Sequence, residues 1–311
     1  MQNKNKIGHA AALVTILIWG TTFISTKILL TDFEPVEILF FRFCIGFLAL
    51  TAAYPRRLKK TNTGRTLSQN DFFGRHQELT FALAGLCGVC LYYLLENIAL
   101  TFTLASNVGV IISAAPFFTA LLTHLLFKDE EPLKPGFFIG FGIAIAGICL
   151  ISFKGSEPEL NPAGDLLAII AAFTWACYSV LTRKISSFGY HTVQTTRRIF
   201  AWGILFMIPS LFFFPFRPCP ERFLKPVCLL NILFLGLCAS ALCFVTWNFA
   251  VSVLGAVKTS IYIYMVPVIT VITSVIVLHE KITPLSALGV LLTLAGLMIS
   301  EGRLDFRVLR K

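Results

Sequence analysis

Gly85–Ala99 reads GLCGVCLYYLLENIA, and 151 residues later Gly236–Ala250 reads GLCASALCFVTWNFA. Gly85, Leu86, Cys87, Leu91, Asn97 and Ala99 face Gly236, Leu237, Cys238, Leu242, Asn248 and Ala250 in the same order. The register continues to Ala105 and Pro116, which face Ala256 and Pro267. Upstream, Gly8, Trp19, Thr26, Lys27 and Arg42 face Gly164, Trp175, Thr182, Arg183 and Arg198, each 156 residues on. Downstream, Gly140 and Gly147 face Gly289 and Gly296, each 149 on. The offset drifts only between apolar stretches. Leu and Ala matches come cheaply in apolar sequence; the Trp, Asn, Arg and Pro pairs carry the weight. The chain therefore divides into two copies of one unit, residues 1–154 and 155–311.

Each copy is unusually apolar. Of 311 residues, 56% are hydrophobic and 14% charged, with a mean hydropathy of +0.80. Soluble domains carry roughly a quarter charged residues. A soluble protein of this length has no means of hiding so much apolar surface, whereas lipid accepts it. The net charge of +10 is dispersed in short gaps between apolar stretches, as membrane topology requires, rather than gathered as a nucleic-acid face. Most of the nine Cys lie inside apolar stretches, where Cys is a small hydrophobe. Cys219 and Cys228 flank one loop and are candidates for a disulfide; Cys87 and Cys90 form a C-x-x-C without His partners, a poor metal site. Ile7–Thr26 follows two lysines like a signal peptide, but it is long and has no small-residue cleavage site before polar sequence, so it reads as a retained first helix.

A hydrocarbon core of about 30 Å needs about 20 apolar residues per helix. Spans are expected near 7–29, 35–54, 78–99, 103–127, 135–153, 163–186, 191–214, 226–250, 255–278 and 283–302. The fold expected is all-α and integral to the membrane, with ten transmembrane helices. An even number of spans puts both termini on one side. That side, with the basic loop from about Pro55 to Gln77, holds 19 Lys and Arg against 7 on the other, which makes it the cytoplasm. Five helices per copy is an odd number, so the second copy enters from the opposite face. Two inverted five-helix repeats around a central cavity are a recurrent transporter design.

Ile18-Trp19-Gly20-Thr21-Thr22-Phe23 resembles the W-G-x-x-F signature of the EamA-like branch of the drug/metabolite transporter superfamily. Leu278–Ser300, LHEKITPLSALGVLLTLAGLMIS, resembles that family's ninth-to-tenth helix junction, repeated in the first half as Leu126–Ser152. Pro116 and Pro267 sit where the family places prolines in its fourth and ninth helices. The resemblance spans nearly the whole chain. It implies ten helices, cytoplasmic termini, a central cavity, and usually efflux of metabolites such as amino acids across the cell membrane. The sequence KDEEP stands where E-x-x-x-P is expected, which leaves Asp129, Glu130 and Glu131 as alternatives for the acidic position.

The candidate substrate-binding residues are the polar and aromatic side chains within the apolar spans. Arg42, among Phe40, Phe41 and Phe43, either holds a substrate carboxylate or snorkels to the interface. Its repeat mate Arg198 is expected equally deep, which favours a structural role. Glu96, facing Trp247 in the repeat, is the only carboxylate in the apolar body of its helix. It is expected to bind a proton or an amine, or to pair with Lys27 or Arg42. Trp19 and Trp175, with Tyr92, Tyr178, Trp247, Tyr262 and Tyr264, are candidates to wall a central aromatic cavity, against ordinary helix packing. Thr22, Asn97 and Asn248 hydrogen-bond either substrate or a neighbouring helix, the latter worth about 0.6 kcal/mol on average. Pro116 and Pro267 each free a backbone carbonyl and are candidate hinges. Gly136, Gly140, Gly142 and Gly147 give a small-residue face for helix packing or a dimer contact.

No G-x-x-x-x-G-K-[ST] is present, so energy must come from a gradient of substrate or protons. Neither H-E-x-x-H nor G-x-S-x-G occurs, and the five His lie at scattered helix ends, which argues against an intramembrane enzyme. No cofactor or metal is expected. The expected partners are the bilayer and a small-molecule substrate, with possible proton coupling and no nucleic acid, in a monomer or homodimer. The competing class is a non-transporting membrane protein of receptor or scramblase type.

Overall fold

The computed structural model describes residues 2–55, 76–126, 135–152, 162–217 and 219–300. Most of the basic loop after Pro55, and the alternatives Asp129, Glu130 and Glu131, lie outside the described residues. Those residues are helical, without a β-strand among them. In chain order the helices are α1 (Gln2–Leu29), α2 (Pro35–Ala53), α3 (Gln77–Phe102), α4 (Ala105–Leu126), α5 (Pro135–Ser152), α6 (Pro162–Ser186), α7 (Thr192–Phe213), α8 (Pro226–Leu254), α9 (Ala256–Val277) and α10 (Pro284–Ser300). Eight of them are long and apolar enough to cross a membrane. In α5 and α10 the apolar stretches are shorter, Pro135–Gly147 and Ala287–Gly296.

Local chemistry sets the ends. Five helices begin with proline, at Pro35, Pro135, Pro162, Pro226 and Pro284, where the missing N–H would have had no helical partner anyway. At α2 the Glu34 backbone N–H donates to Glu37 Oε2 at 2.9 Å, reciprocating the cap.

Departures from α geometry recur at equivalent places in the two halves. Helix α3 widens into a π-helical turn at Leu86–Leu91, and α8 does so at Phe234–Leu242. Helix α4 tightens at Ser113 and Ala114, whose N–H groups donate three residues back to Val110 and Ile111. Helix α9 tightens into a 3-10 turn at Ile261–Met265. Both tight turns immediately precede the prolines Pro116 and Pro267, whose rings cannot accept a regular ladder. The carbonyl expected to be freed at Ile263 is taken instead by the Val266 N–H, so the 3-10 turn repairs that loss.

Packing partners also come in matched sets. Helix α1 lies on α8 and α9, and α6 lies on α3 and α4; α2 lies on α8 as α7 lies on α3. Helices α5 and α10 pair with each other more extensively than any other two. A Cβ on Gly147 would sit 2.5 Å from the Thr293 nitrogen, and one on Gly296 would sit 2.5 Å from the Gly140 carbonyl. The small-residue face of α5 is thus used within the chain, while Gly142 faces open space.

At the α1–α2 end, charge ties the halves together. Buried Glu37 accepts from Arg222 Nη1 at 2.7 Å and from the Arg217 backbone N–H at 2.8 Å. Lys225 pairs with Asp32 and holds its carboxyl below the usual carboxylate range by hydrogen bonding. Phe223 packs on Phe33 and Phe41. Cys219 and Cys228 are free thiols rather than a disulfide; Cys228 Sγ lies 3.5 Å from Asp32 Oδ2. Lys27 donates to the Leu100 and Thr103 carbonyls at the end of α3. Glu280 caps α4 by accepting from the Ala105 and Ser106 N–H groups at 3.0 and 3.3 Å, where the helix dipole favours an anion.

Candidate functional site

Downstream of the π-helical turn, α3 presents Tyr92, Tyr93, Glu96, Asn97 and Leu100 on one buried face, the spacing of a single helical side. A wide turn inserts a residue and so re-aims everything after it. Gly88, within that turn, lets α6 approach: a Cβ there would sit 2.1 Å from the Tyr178 ring.

This face closes one wall of a partly open cavity, about 390 Å³ of empty space with its opening included. The other walls are Trp19, Thr22 and Phe23 of α1, Ile112 of α4, Trp175 of α6, and Ile263 and Val266 of α9. Both halves of the sequence contribute. Trp19 and Trp175, repeat mates, meet edge to face with ring centroids 5.0 Å apart, a favourable aromatic geometry. Tyr92 packs on Trp175 at 4.9 Å and on Tyr93 at 4.6 Å. The Trp19 indole is anchored by donating to the Ala239 carbonyl at 2.9 Å. Thr22 donates to the Trp19 carbonyl at 2.8 Å.

Of the residues singled out from sequence, Trp19, Thr22, Tyr92, Glu96 and Trp175 line the cavity. Trp247 and Tyr178 stand one layer back, packed on Trp19 and Trp175. Asn248 accepts from the Tyr178 hydroxyl at 2.8 Å and donates to Thr196 at 3.0 Å. Its repeat mate Asn97 donates to the Pro35 carbonyl at 3.0 Å. These amides tie helices together. Tyr262 bonds His9 at 2.8 Å instead, and Tyr264 is likewise not among the lining residues. The 3-10 turn is the reason: with three residues per turn, Ile263 and Val266 share the inward face and the two tyrosines flank it. Tyr93, Phe23, Ile112, Ile263 and Val266 were not singled out from sequence. Ile112 and Ile263 were legible in principle, as repeat mates four residues before the paired prolines.

Arg42 is fully buried yet does not line the cavity. Its guanidinium lies 4.2 Å from the Tyr93 ring centroid, a cation–π contact, and its Nε donates to Ser240 Oγ at 3.1 Å. The expected equivalence with Arg198 does not hold. Arg198 is 45% exposed and pairs with Glu78 at 2.9 Å, because the carboxylate at position 78 has Leu229 as its repeat counterpart. The expected pairing of Glu96 with Lys27 or Arg42 is also absent: neither lies within ion-pair distance of it. Among the described residues, Glu96 Oε1, both Arg42 terminal nitrogens, and the indole nitrogens of Trp175 and Trp247 are buried without a hydrogen-bond partner. Each such atom costs about 1–3 kcal/mol. Such atoms take a water, an ion or a ligand, or store strain.

Eight membrane-length apolar helices define a multi-pass membrane protein, and both sequence halves wall the cavity among them. The chain belongs to the EamA-like transporter family, whose description matches residues 6–153 and 162–301. It is 30% identical to an uncharacterized transporter of Archaeoglobus fulgidus over 96% of this chain and 99% of that one. It is 23% identical to a probable terminal-alkyne amino-acid exporter of Streptantibioticus cattleyicolor, over 94% and 93%. A solved crystal structure, 20% identical and covering both chains completely, superimposes with a TM-score of 0.63, which extends the shared fold to the full length.

Proposed function

We propose that the protein is a secondary transporter that exports a small metabolite, such as an amino acid or a related compound, by alternating access. In this reading all ten helices cross the cytoplasmic membrane and both termini are cytoplasmic. The halves, residues 1–154 and 155–311, are inverted repeats, and one chain carries a complete site. The observation that carries the proposal is the cavity lined by α1, α3 and α4 of the first half and α6 and α9 of the second. A site walled by both halves changes its access when one rocks on the other. The recurrence of helix contacts and of π and 3-10 turns supports duplication, and the 19-to-7 bias of basic residues supports the orientation. The exporter named among its relatives supports export and the amino-acid class.

Trp19, Thr22, Tyr92, Glu96 and Trp175 contact substrate in this scheme. Arg42, Asn97, Tyr178, Trp247 and Asn248 shape the wall behind them, and Pro116 and Pro267 are the hinges. Glu96, the one carboxylate among the described lining residues, is where a proton gradient would couple. Counterflow in proteoliposomes tests the function. Vesicles loaded with a small panel of amino acids and related metabolites should accumulate the labelled counterpart of at least one. Strict impermeability to all of them, with folded protein, would favour a non-transporting receptor or scramblase.

A further inference from the structure

We infer that the cavity selects its ligand by a protonated amine, seating an ammonium group on Glu96 and its apolar body against Trp19 and Trp175. The inference deepens the transporter reading and rests on the cavity being that reading's binding site. Glu96 is 1% exposed, lines the cavity and has an oxygen without a partner. A buried carboxylate in that condition, when ionised, is matched by a cation with N–H donors. Trp19, Trp175, Tyr92 and Tyr93 share the lining with it, and aromatic rings of this kind attract a cation placed over their faces. The remaining lining, Phe23, Ile112, Ile263 and Val266, is apolar and suits a hydrocarbon body.

The cationic candidate for holding a carboxylate, Arg42, packs on the ring of Tyr93 and is absent from the lining. Among the described residues the lining therefore carries one carboxyl group and no cationic side chain. An acid of the same shape would meet Glu96 with like charge, and a neutral alcohol would leave the carboxylate without a counter-charge.

Tryptophan fluorescence of the purified full chain, titrated with phenethylamine, hydrocinnamate and phenethyl alcohol, separates these cases. Phenethylamine should bind at least tenfold more tightly than either of the others, and Glu96→Gln should remove that preference while retaining thermal stability. Trp19→Phe should keep the preference with weakened affinity, which distinguishes a damaged wall from a lost charge. Equal binding of the three compounds, no binding of phenethylamine, or an unchanged preference in Glu96→Gln would each overturn the inference. Counterflow with labelled phenethylamine separates this result from the transporter reading. An amine bound selectively but never carried supports the inference and counts against transport. A different compound carried equally well by Glu96→Gln overturns the inference and leaves transport standing.

Discussion

Arg42 and Arg198 occupy the same position in the two copies and meet opposite fates, one sealed against Tyr93 and Ser240, the other half-exposed on Glu78. Repetition of a residue fixes where it stands, not what stands beside it, so the sequence could pair the two arginines and still misjudge their environments. The same holds for Glu96, whose burial and depth were legible but whose lack of an ion-pair partner was not. A buried cation whose terminal nitrogens have no partner contributes little to stability. Arg42→Met should accordingly leave the unfolding free energy of the detergent-purified protein within about 1 kcal/mol of wild type while impairing transport. A collapse of stability with transport retained per folded molecule would assign Arg42 to the scaffold. Trp19→Ala and Trp175→Ala each remove an aromatic contact worth about 1 kcal/mol. Apparent affinity should fall roughly fivefold without loss of expression. Normal affinity in both would remove the aromatic wall from the account.

Helix existence was readable from apolar runs punctuated by charge and proline, and every expected span coincides with a helix. The interruptions inside helices were only partly readable. Pro116 and Pro267 marked where α4 and α9 break, but the 3-10 turn that turns Tyr262 and Tyr264 aside follows from packing that no single-sequence pattern encodes. If those turns are hinges, Pro116→Ala and Pro267→Ala should regularise the helices, hold or raise the thermal midpoint, and slow counterflow several-fold. Unchanged counterflow in both would make the prolines packing features. At the α1–α2 end, Glu37→Gln breaks a largely buried ion pair and should cost about 3 kcal/mol, read as a lower thermal midpoint. Asp32, held below the usual carboxylate range by Lys225, contributes stability that is present above that range and lost as pH falls through its lowered value. Acidification through that interval should speed hydrogen exchange around Lys225, and exchange indifferent to pH there would show the pair to be inconsequential.

Across the whole molecule the duplication explains more than any single motif. It accounts for matched contacts of α1 with α8 and α6 with α3, for π turns at equivalent positions in the chain, and for a cavity walled by both halves. It was visible in sequence because Trp, Asn, Arg and Pro recur at nearly constant offset. The chemistry of the site was less visible because it lies where the copies differ, at Glu96 against Trp247 and Tyr93 against Phe244. Alternating access through that shared cavity requires the copies to be threaded in opposite directions, and Thr31 and Ser187, repeat mates just beyond α1 and α6, report on this. In a variant stripped of its own cysteines, Thr31→Cys should react with a membrane-impermeant maleimide on intact cells, and Ser187→Cys only after permeabilisation. Labelling of both from the same face would contradict the inverted arrangement.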